Sequence, residues 1–92
     1  MIHECKLRDI YVDDIMQERK TFEVRKDDRE PRYEVGDMLA LNVIREVDGI
    51  IEFTGDTILT RVSYVFRDPE YVKDGYAILG IEAPRWIERR KA

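Results

Sequence analysis

Residues 18–26 read ERKTFEVRK, a pattern that predicts a helix end passing directly into a β-strand. Side chains alternate between the two faces of a strand. We therefore expect the apolar pair, Phe22 and Val24, to enter the core. The polar side chains Thr21, Glu23 and Arg25 would then line the opposite face, with Lys20 beside them at the start of the strand.

A carboxylate flanked by cations and a hydroxyl is typical of a site for a polar or anionic ligand. Two neighbouring cations would keep Glu23 ionised, so that it accepts hydrogen bonds, for example from a base amino group. Lys20 and Arg25 would bind phosphate or carbonyl oxygens. The alternative is a solvated strand face with an ordinary ion pair, which contributes little stability.

The composition indicates one folded domain with a densely ionic surface. The chain has 92 residues, of which 43% are hydrophobic, 10% aromatic and 39% charged, with a net charge of −4. The charge is uneven, because residues 1–84 carry −7 and residues 85–92 carry +3. Local basic clusters on an acidic body indicate a small, selective anion site rather than a surface that coats nucleic acid. We expect a domain over residues 1–84 and a basic C-terminal tail over 85–92.

Several classes of protein lack the necessary residues. Cys5 is the only cysteine, which leaves no intrachain disulfide and fits a reducing compartment; we expect it in the core. His3 is the only histidine and is expected at the surface or at a strand edge, so histidine metal sites and Ser-His or Cys-His catalysis are not predicted. No cofactor is predicted. Without a visible signal peptide or membrane span, the expected location is the cytoplasm.

The pattern along the chain predicts one helix and five or six short strands. The helix is expected over residues 9–18, and residues 26–34 are expected to form a surface loop because almost all are charged. Asp48-Gly49 is a strong two-residue hairpin signal. The predicted strands are residues 3–7, 21–25, 38–47, 50–53, 57–67 and 76–81, with a bend or bulge at 54–56.

With so few helices, the expected class is α+β, and a wound parallel sheet is not predicted. Strands joined by hairpins are expected to curl into a small mixed β-barrel, which removes exposed edges. In the strand over residues 57–67, Ile58, Val62, Tyr64 and Phe66 should share one face. Pro84 should close the domain.

Aromatic residues are candidates for stacking on a base, although each is more often a packing residue. These candidates are Tyr33, Phe66, Tyr71, Tyr76 and Trp86. The complete predicted binding set is Lys20, Thr21, Glu23, Arg25, Lys26, Tyr33 and Tyr76.

Three segments together resemble the ASCH superfamily, and most closely its small bacterial and phage members of unknown function. They are KTFEVRK at 20–26, VGDML at 35–39 and GYAIL at 75–79. The superfamily signature is Gly-x-Lys-x-x-Glu-x-Arg, which Lys20, Glu23 and Arg25 match. Glu18 stands where the signature has glycine, a residue that supports a left-handed helix end.

The resemblance, which spans about residues 3–81, implies a PUA-like β-barrel with one or two flanking helices. It also implies a cleft, lined by the signature residues, for RNA or a nucleotide. Some ASCH members resemble amidohydrolases of acetylated cytidine that use Lys, Thr and Glu, with Thr three residues after Lys. Here that position is Glu23, and Thr21 would point elsewhere, so this activity is not carried over. Other relatives are linked to RNA cleavage, but no residues of this chain secure that activity.

The first functional hypothesis is therefore an RNA- or nucleotide-binding module. The second is a small hydrolase acting on a modified nucleoside, with Lys20 and Glu23 as an acid/base pair. The third is a protein-interaction module whose basic tail, residues 85–91, contacts an acidic partner.

Overall fold

Five strands, one short α-helix and one turn of 3-10 helix make up the regular structure in the part of the chain that the computed structural model describes, residues 1–88. The α+β class is confirmed, and the first predicted strand, the charged connection and the hairpin occur where expected. The elements are β1 (Ile2–Arg8), a 3-10 helix (Asp9–Tyr11), α1 (Val12–Met16), β2 (Phe22–Lys26), β3 (Met38–Val47), β4 (Ile50–Phe66) and β5 (Tyr76–Glu88).

The strands form a single mixed sheet in the order β1-β3-β4-β5-β2. Strand β1 pairs with β3 in parallel, and the other neighbours pair antiparallel. Within residues 1–88 the two edge strands, β1 and β2, do not pair with each other, so the prediction of a closed barrel is wrong. A side chain crosses between these edges instead, because Arg25 Nη2 donates a hydrogen bond to the Lys6 carbonyl oxygen at 2.7 Å.

The core lies on one face of this sheet, under α1. Strand β1 alternates between buried and exposed residues, with His3, Cys5 and Leu7 buried, which confirms Cys5 as a core residue. His3 is not at the surface, because its Nε2 lies 2.7 Å from Asp37 Oδ2. The main core cluster is Cys5, Leu7, Ile15, Tyr33, Leu39, Leu41, Ile58, Val62, Ala77, Leu79 and Ile81.

The Asp48-Gly49 turn is confirmed. Both residues have positive φ, 51° and 79°, as a two-residue turn of this type requires, and Val47 pairs with Ile50 across it. Strand β4 then continues through the predicted irregularity at 54–56. A register shift opposite these residues, between Asn42 and Ile44, shows that the irregularity is a bulge within one long strand.

A second register shift explains an error in the predicted faces of β4. Ile58 and Val62 are buried as expected, but Tyr64 is exposed and Val65 packs against the core instead. The pairing with β5 shifts between Val62 and Tyr64, and one extra residue reverses the alternation beyond that point. Gly80 allows the close approach, because a Cβ there would lie 2.7 Å from Ser63 Oγ.

Strand β5 is longer than predicted. It does not end at Ile81 but continues past Pro84 to Glu88, where it pairs with Asp56 of β4. The chain passes Pro84 at a register shift, next to Ala83 with a φ of 52°, and such an irregularity accommodates a proline in a sheet. The first residues of the predicted basic tail therefore belong to the sheet. Its cations Arg89, Arg90 and Lys91 lie outside the described residues.

Among residues 1–88, no helix is both long enough and apolar enough to span a lipid bilayer.

Candidate functional site

The site begins at the connection between α1 and β2. Glu18 has a φ of 58°, the left-handed conformation that glycine usually supplies at a helix end. The turn is closed by backbone hydrogen bonds from Arg19 and Lys20 to the carbonyl oxygen of Asp14, at 2.8 and 2.9 Å. Lys20 therefore enters β2 in a defined position although no glycine precedes it.

The faces of β2 are the reverse of the prediction. Phe22 and Val24 are 46% and 54% exposed, whereas Glu23 is 4% exposed. The alternation was predicted correctly, but the polar face turns inward. Strand β2 lies at the edge of the sheet, and its inward face meets β1 across an unpaired gap where a carboxylate with cationic partners can be buried.

Two cations hold the buried carboxylate. Lys20 Nζ contacts Glu23 Oε2, and Arg25 Nη2 donates to Glu23 Oε1 at 2.6 Å. Lys20 also donates to the carbonyl oxygen of Phe22 at 2.9 Å. A carboxylate has about four lone-pair positions, so these two bonds leave Glu23 able to accept more.

Arg25 links the carboxylate to the opposite edge of the sheet. The same Nη2 that binds Glu23 also donates to the Lys6 carbonyl oxygen of β1. Arg25 Nε is buried and, among the described residues, has no hydrogen-bond partner. A buried donor without an acceptor is unfavourable, so an acceptor brought by a ligand would find an unsatisfied group nearby.

Glu23 and its partners line a hollow of about 490 Å³, which we call the Glu23 hollow. This volume is in the range of small-molecule sites. The wall contains four cations and one carboxylate, although the whole chain is acidic. Besides Glu23 and Arg25, the lining residues are Lys6, Arg8, Tyr11, Lys20, Phe22 and Val24.

Two aromatic rings of the hollow were not predicted as binding residues. Lys20 Nζ lies 5.0 Å from the ring centroid of Phe22 and 5.3 Å from that of Tyr11, within cation–π distance. Both rings are partly exposed. Phe22 was predicted to lie in the core, because the two faces of β2 were predicted the wrong way round. Nothing in the sequence places Tyr11 beside Lys20. Lys6 and Arg8 were missed because only the fold brings β1 opposite β2.

The structure separates four residues of the predicted set from the hollow. Thr21 is exposed, and Lys26 lies at the surface with its Nζ 3.5 Å from Asp28. Tyr76 is half-buried opposite Lys26, at the far end of β2. Tyr33 lies in the core, where no ring face is open for stacking. Burial and then a hydrogen bond with Cys5 raise the pKa of Tyr33 to about 12. Of the seven predicted residues, the structure therefore brings together Lys20, Glu23 and Arg25.

The charged loop after β2 is not wholly at the surface, because Asp27 and Tyr33 are buried. Asp27 accepts hydrogen bonds from Arg67 and from Arg32, the latter at 2.9 Å, and Arg67 also donates to the Tyr33 carbonyl oxygen at 2.6 Å. Burial raises the pKa of Asp27, but the two arginines outweigh it and leave that pKa below its ordinary value. This ion cluster fixes the loop at the end of β2.

Comparison with known proteins gives a family but no activity. A family model described as a domain of unknown function, DUF3850, matches residues 2–81. The matched region includes the whole Glu23 hollow. No curated protein matches the chain.

Proposed function

The chain belongs to the DUF3850 family, and we propose that it binds RNA or a nucleotide in the Glu23 hollow. The observation that carries the proposal is the convergence of Lys20, Glu23 and Arg25 in one concave, cation-rich wall. We further propose that the family is a branch of the ASCH superfamily, because the three residues that match the ASCH signature are the ones that meet there.

The cations suit the phosphate or carbonyl oxygens of a nucleotide. Arg8 and Lys6 add two positive charges from the facing strand, and arginine in particular forms strong hydrogen bonds to phosphate. A positive hollow on a chain of net charge −4 favours a local anionic ligand over general adhesion to nucleic acid.

Glu23 and the aromatic rings suit a base. The free lone pairs of the carboxylate can accept from a base N–H group, and the partly exposed rings of Tyr11 and Phe22 offer stacking surfaces. Thr21 does not line this hollow, so it adds no nucleophile there, and the hydrolase hypothesis stays a prediction.

The test is a titration with fluorescently labelled tetranucleotide RNAs between about 50 and 200 mM salt. Arg8→Gln is the most informative variant, because Arg8 lines the hollow without contacting Glu23. We expect it to weaken binding several-fold and to reduce the salt slope by about 0.7, the contribution of one phosphate contact on a single strand.

Lys26→Gln is the matched control. It removes the same charge from an exposed residue of β2 that lies outside the hollow, so we expect wild-type affinity and salt slope. Equal RNA affinity of wild type and Arg8→Gln, or no binding of either a tetranucleotide or a mononucleotide, would contradict the proposal.

A further inference from the structure

A second hollow adjoins the Glu23 hollow on the other side of the Arg25–Lys6 contact. Its volume is about 410 Å³. Lys6 and Arg25 line both hollows and form their common wall. The residues that matter in the second hollow are Glu4, Lys6, Arg25, Arg29, Asn42 and Phe53. Together the two hollows follow the gap between the edge strands β1 and β2, and we call them the edge groove.

The edge groove is positive along both parts. It is lined by five cations and two carboxylates, and both carboxylates are engaged by the protein. Glu23 is held by Lys20 and Arg25, and Glu4 accepts a hydrogen bond from Asn42 Nδ2 at 2.7 Å. The field in the groove therefore favours a ligand with more than one negative charge.

Each part of the groove also has an exposed aromatic surface. Phe53, which is 62% exposed, borders the second hollow, as Tyr11 and Phe22 border the first. Each part thus repeats one combination, cations beside an aromatic ring. That combination fits one nucleotide, and its repetition fits a polymer of nucleotides.

We propose that the edge groove binds single-stranded RNA across both hollows, with successive nucleotides on the two sides of the Arg25–Lys6 contact. This proposal rests on the proposed function, since the first nucleotide occupies the Glu23 hollow. The linking phosphate lies against Lys6 and Arg25, the residues common to both hollows. Arg25, one of these two residues, also carries a buried Nε that has no hydrogen-bond partner among the described residues.

The experiment compares a ribonucleoside monophosphate with a tetranucleotide RNA of the same base, by NMR titration of the full chain. We expect the tetranucleotide to bind at least about fivefold more tightly, the effect of one additional stacked base. Phe53→Ala and Arg29→Gln should remove this advantage and leave affinity for the monophosphate unchanged. Phe53→Leu, which keeps apolar area without an aromatic face, should behave as Phe53→Ala.

Tyr64→Ala is the control for Phe53, because Tyr64 lies on the same strand with the same exposure of 62% and outside both hollows. It should bind both probes as wild type does, and Lys26→Gln serves likewise for Arg29. If the monophosphate binds but the tetranucleotide gains nothing, or if the second-hollow variants keep the full gain, the two-hollow proposal is wrong and the proposed function stands. If neither probe binds, both fail.

Discussion

Glu23 is a buried carboxylate whose surroundings determine what the groove can bind. An isolated buried carboxylate is strongly unfavourable, and here Lys20 and Arg25 offset that cost while remaining partly accessible from the hollow. The same ion pairs therefore serve the fold and the proposed ligand. A variant that removes one cation changes both, which is why stability has to be measured beside binding.

Arg25→Ala is expected to lower the free energy of unfolding by roughly 2–4 kcal/mol, because it leaves Glu23 buried with one partner fewer and removes the bond to Lys6. Urea denaturation measures the change. Glu23→Gln in the Arg25→Ala background should recover part of it, since the buried carboxylate, left with Lys20 as its cationic partner, is then replaced by a neutral amide. Lys26→Ala, an exposed cation on the same strand, should change stability by less than about 0.5 kcal/mol. Equal losses for Arg25→Ala and Lys26→Ala would contradict the burial argument.

Glu18→Gly is expected to raise the free energy of unfolding by about 0.5–1 kcal/mol, because it removes the strain of a side chain at a φ of 58°. Gln17→Gly is the matched control. Gln17 has an ordinary φ of −86°, so glycine there relieves no strain and should lower stability, by up to about 1 kcal/mol. Thermal unfolding of both variants checks the difference, and a destabilised Glu18→Gly would show that Glu18 forms an offsetting contact.

At the scale of elements, β2 is placed by groups at both of its ends. The left-handed turn at Glu18 directs the chain into the strand, and the buried Asp27 anchors the loop that leaves it. Between these ends the strand pairs only with β5 among the described strands, so its inner face stays open toward β1. The edge groove exists because β2 is fixed without being paired on that side.

Acid should protonate Asp27 and so weaken its ion pairs with Arg32 and Arg67. The pKa of Asp27 in the folded protein lies below the ordinary value of 3.8, so its contribution to stability is complete above about pH 3.8 and is lost as the pH falls through the folded value. We expect Asp27→Asn to be less stable than wild type at neutral pH, and to lose less stability than wild type between about pH 5 and pH 2.

The matched control for this acid titration is Asp28→Asn, since Asp28 is an exposed neighbour paired with Lys26 at 3.5 Å. Urea denaturation at each pH gives the dependence of the free energy of unfolding on pH. If this dependence in acid is the same in Asp27→Asn as in wild type, Asp27 is not its source. Burial raises the pKa of Asp37, but its bonds to His3 and to the Glu34 backbone lower that pKa by more, so Asp37 is expected to contribute to any acid dependence that remains.

For the whole molecule, the open sheet is the property that matters most. Closure would have paired β1 with β2 and filled the gap with backbone hydrogen bonds. Instead the gap is lined by side chains from both edges, and the hydrogen bond from Arg25 to the Lys6 carbonyl oxygen crosses it. Away from this gap, β5 extends along β4 as far as Glu88.

Two truncations test how far the domain extends. A chain ending at Pro84 should unfold at a lower temperature than a chain ending at Glu88, because residues 85–88 pair with residues 56–59 of β4. Differential scanning calorimetry measures the difference, which reports these four residues alone. Equal melting temperatures would mean that the sheet gains nothing from this segment and that the domain ends near residue 84.

Local sequence was sufficient where the determinant lies within a few residues. The Asp48-Gly49 turn and the choice of Lys20, Glu23 and Arg25 as one group depend only on backbone preference and strand periodicity. The register shift after Val62 could not be predicted, because a bulge depends on the partner strand.

The sequence by itself determined that Glu23 and Arg25 share a face of β2 and that Lys20 precedes them. Only the tertiary structure decided that this face points inward, because hydrophobicity favoured Phe22 and Val24 for burial. The physical reason is the position of β2 at an open edge, opposite cations and carbonyl oxygens of a strand that precedes it by fourteen residues (Arg8 to Phe22). A local sequence pattern predicts which side chains share a face of a strand. The free energy of burying that face depends on the groups that lie opposite it across the gap.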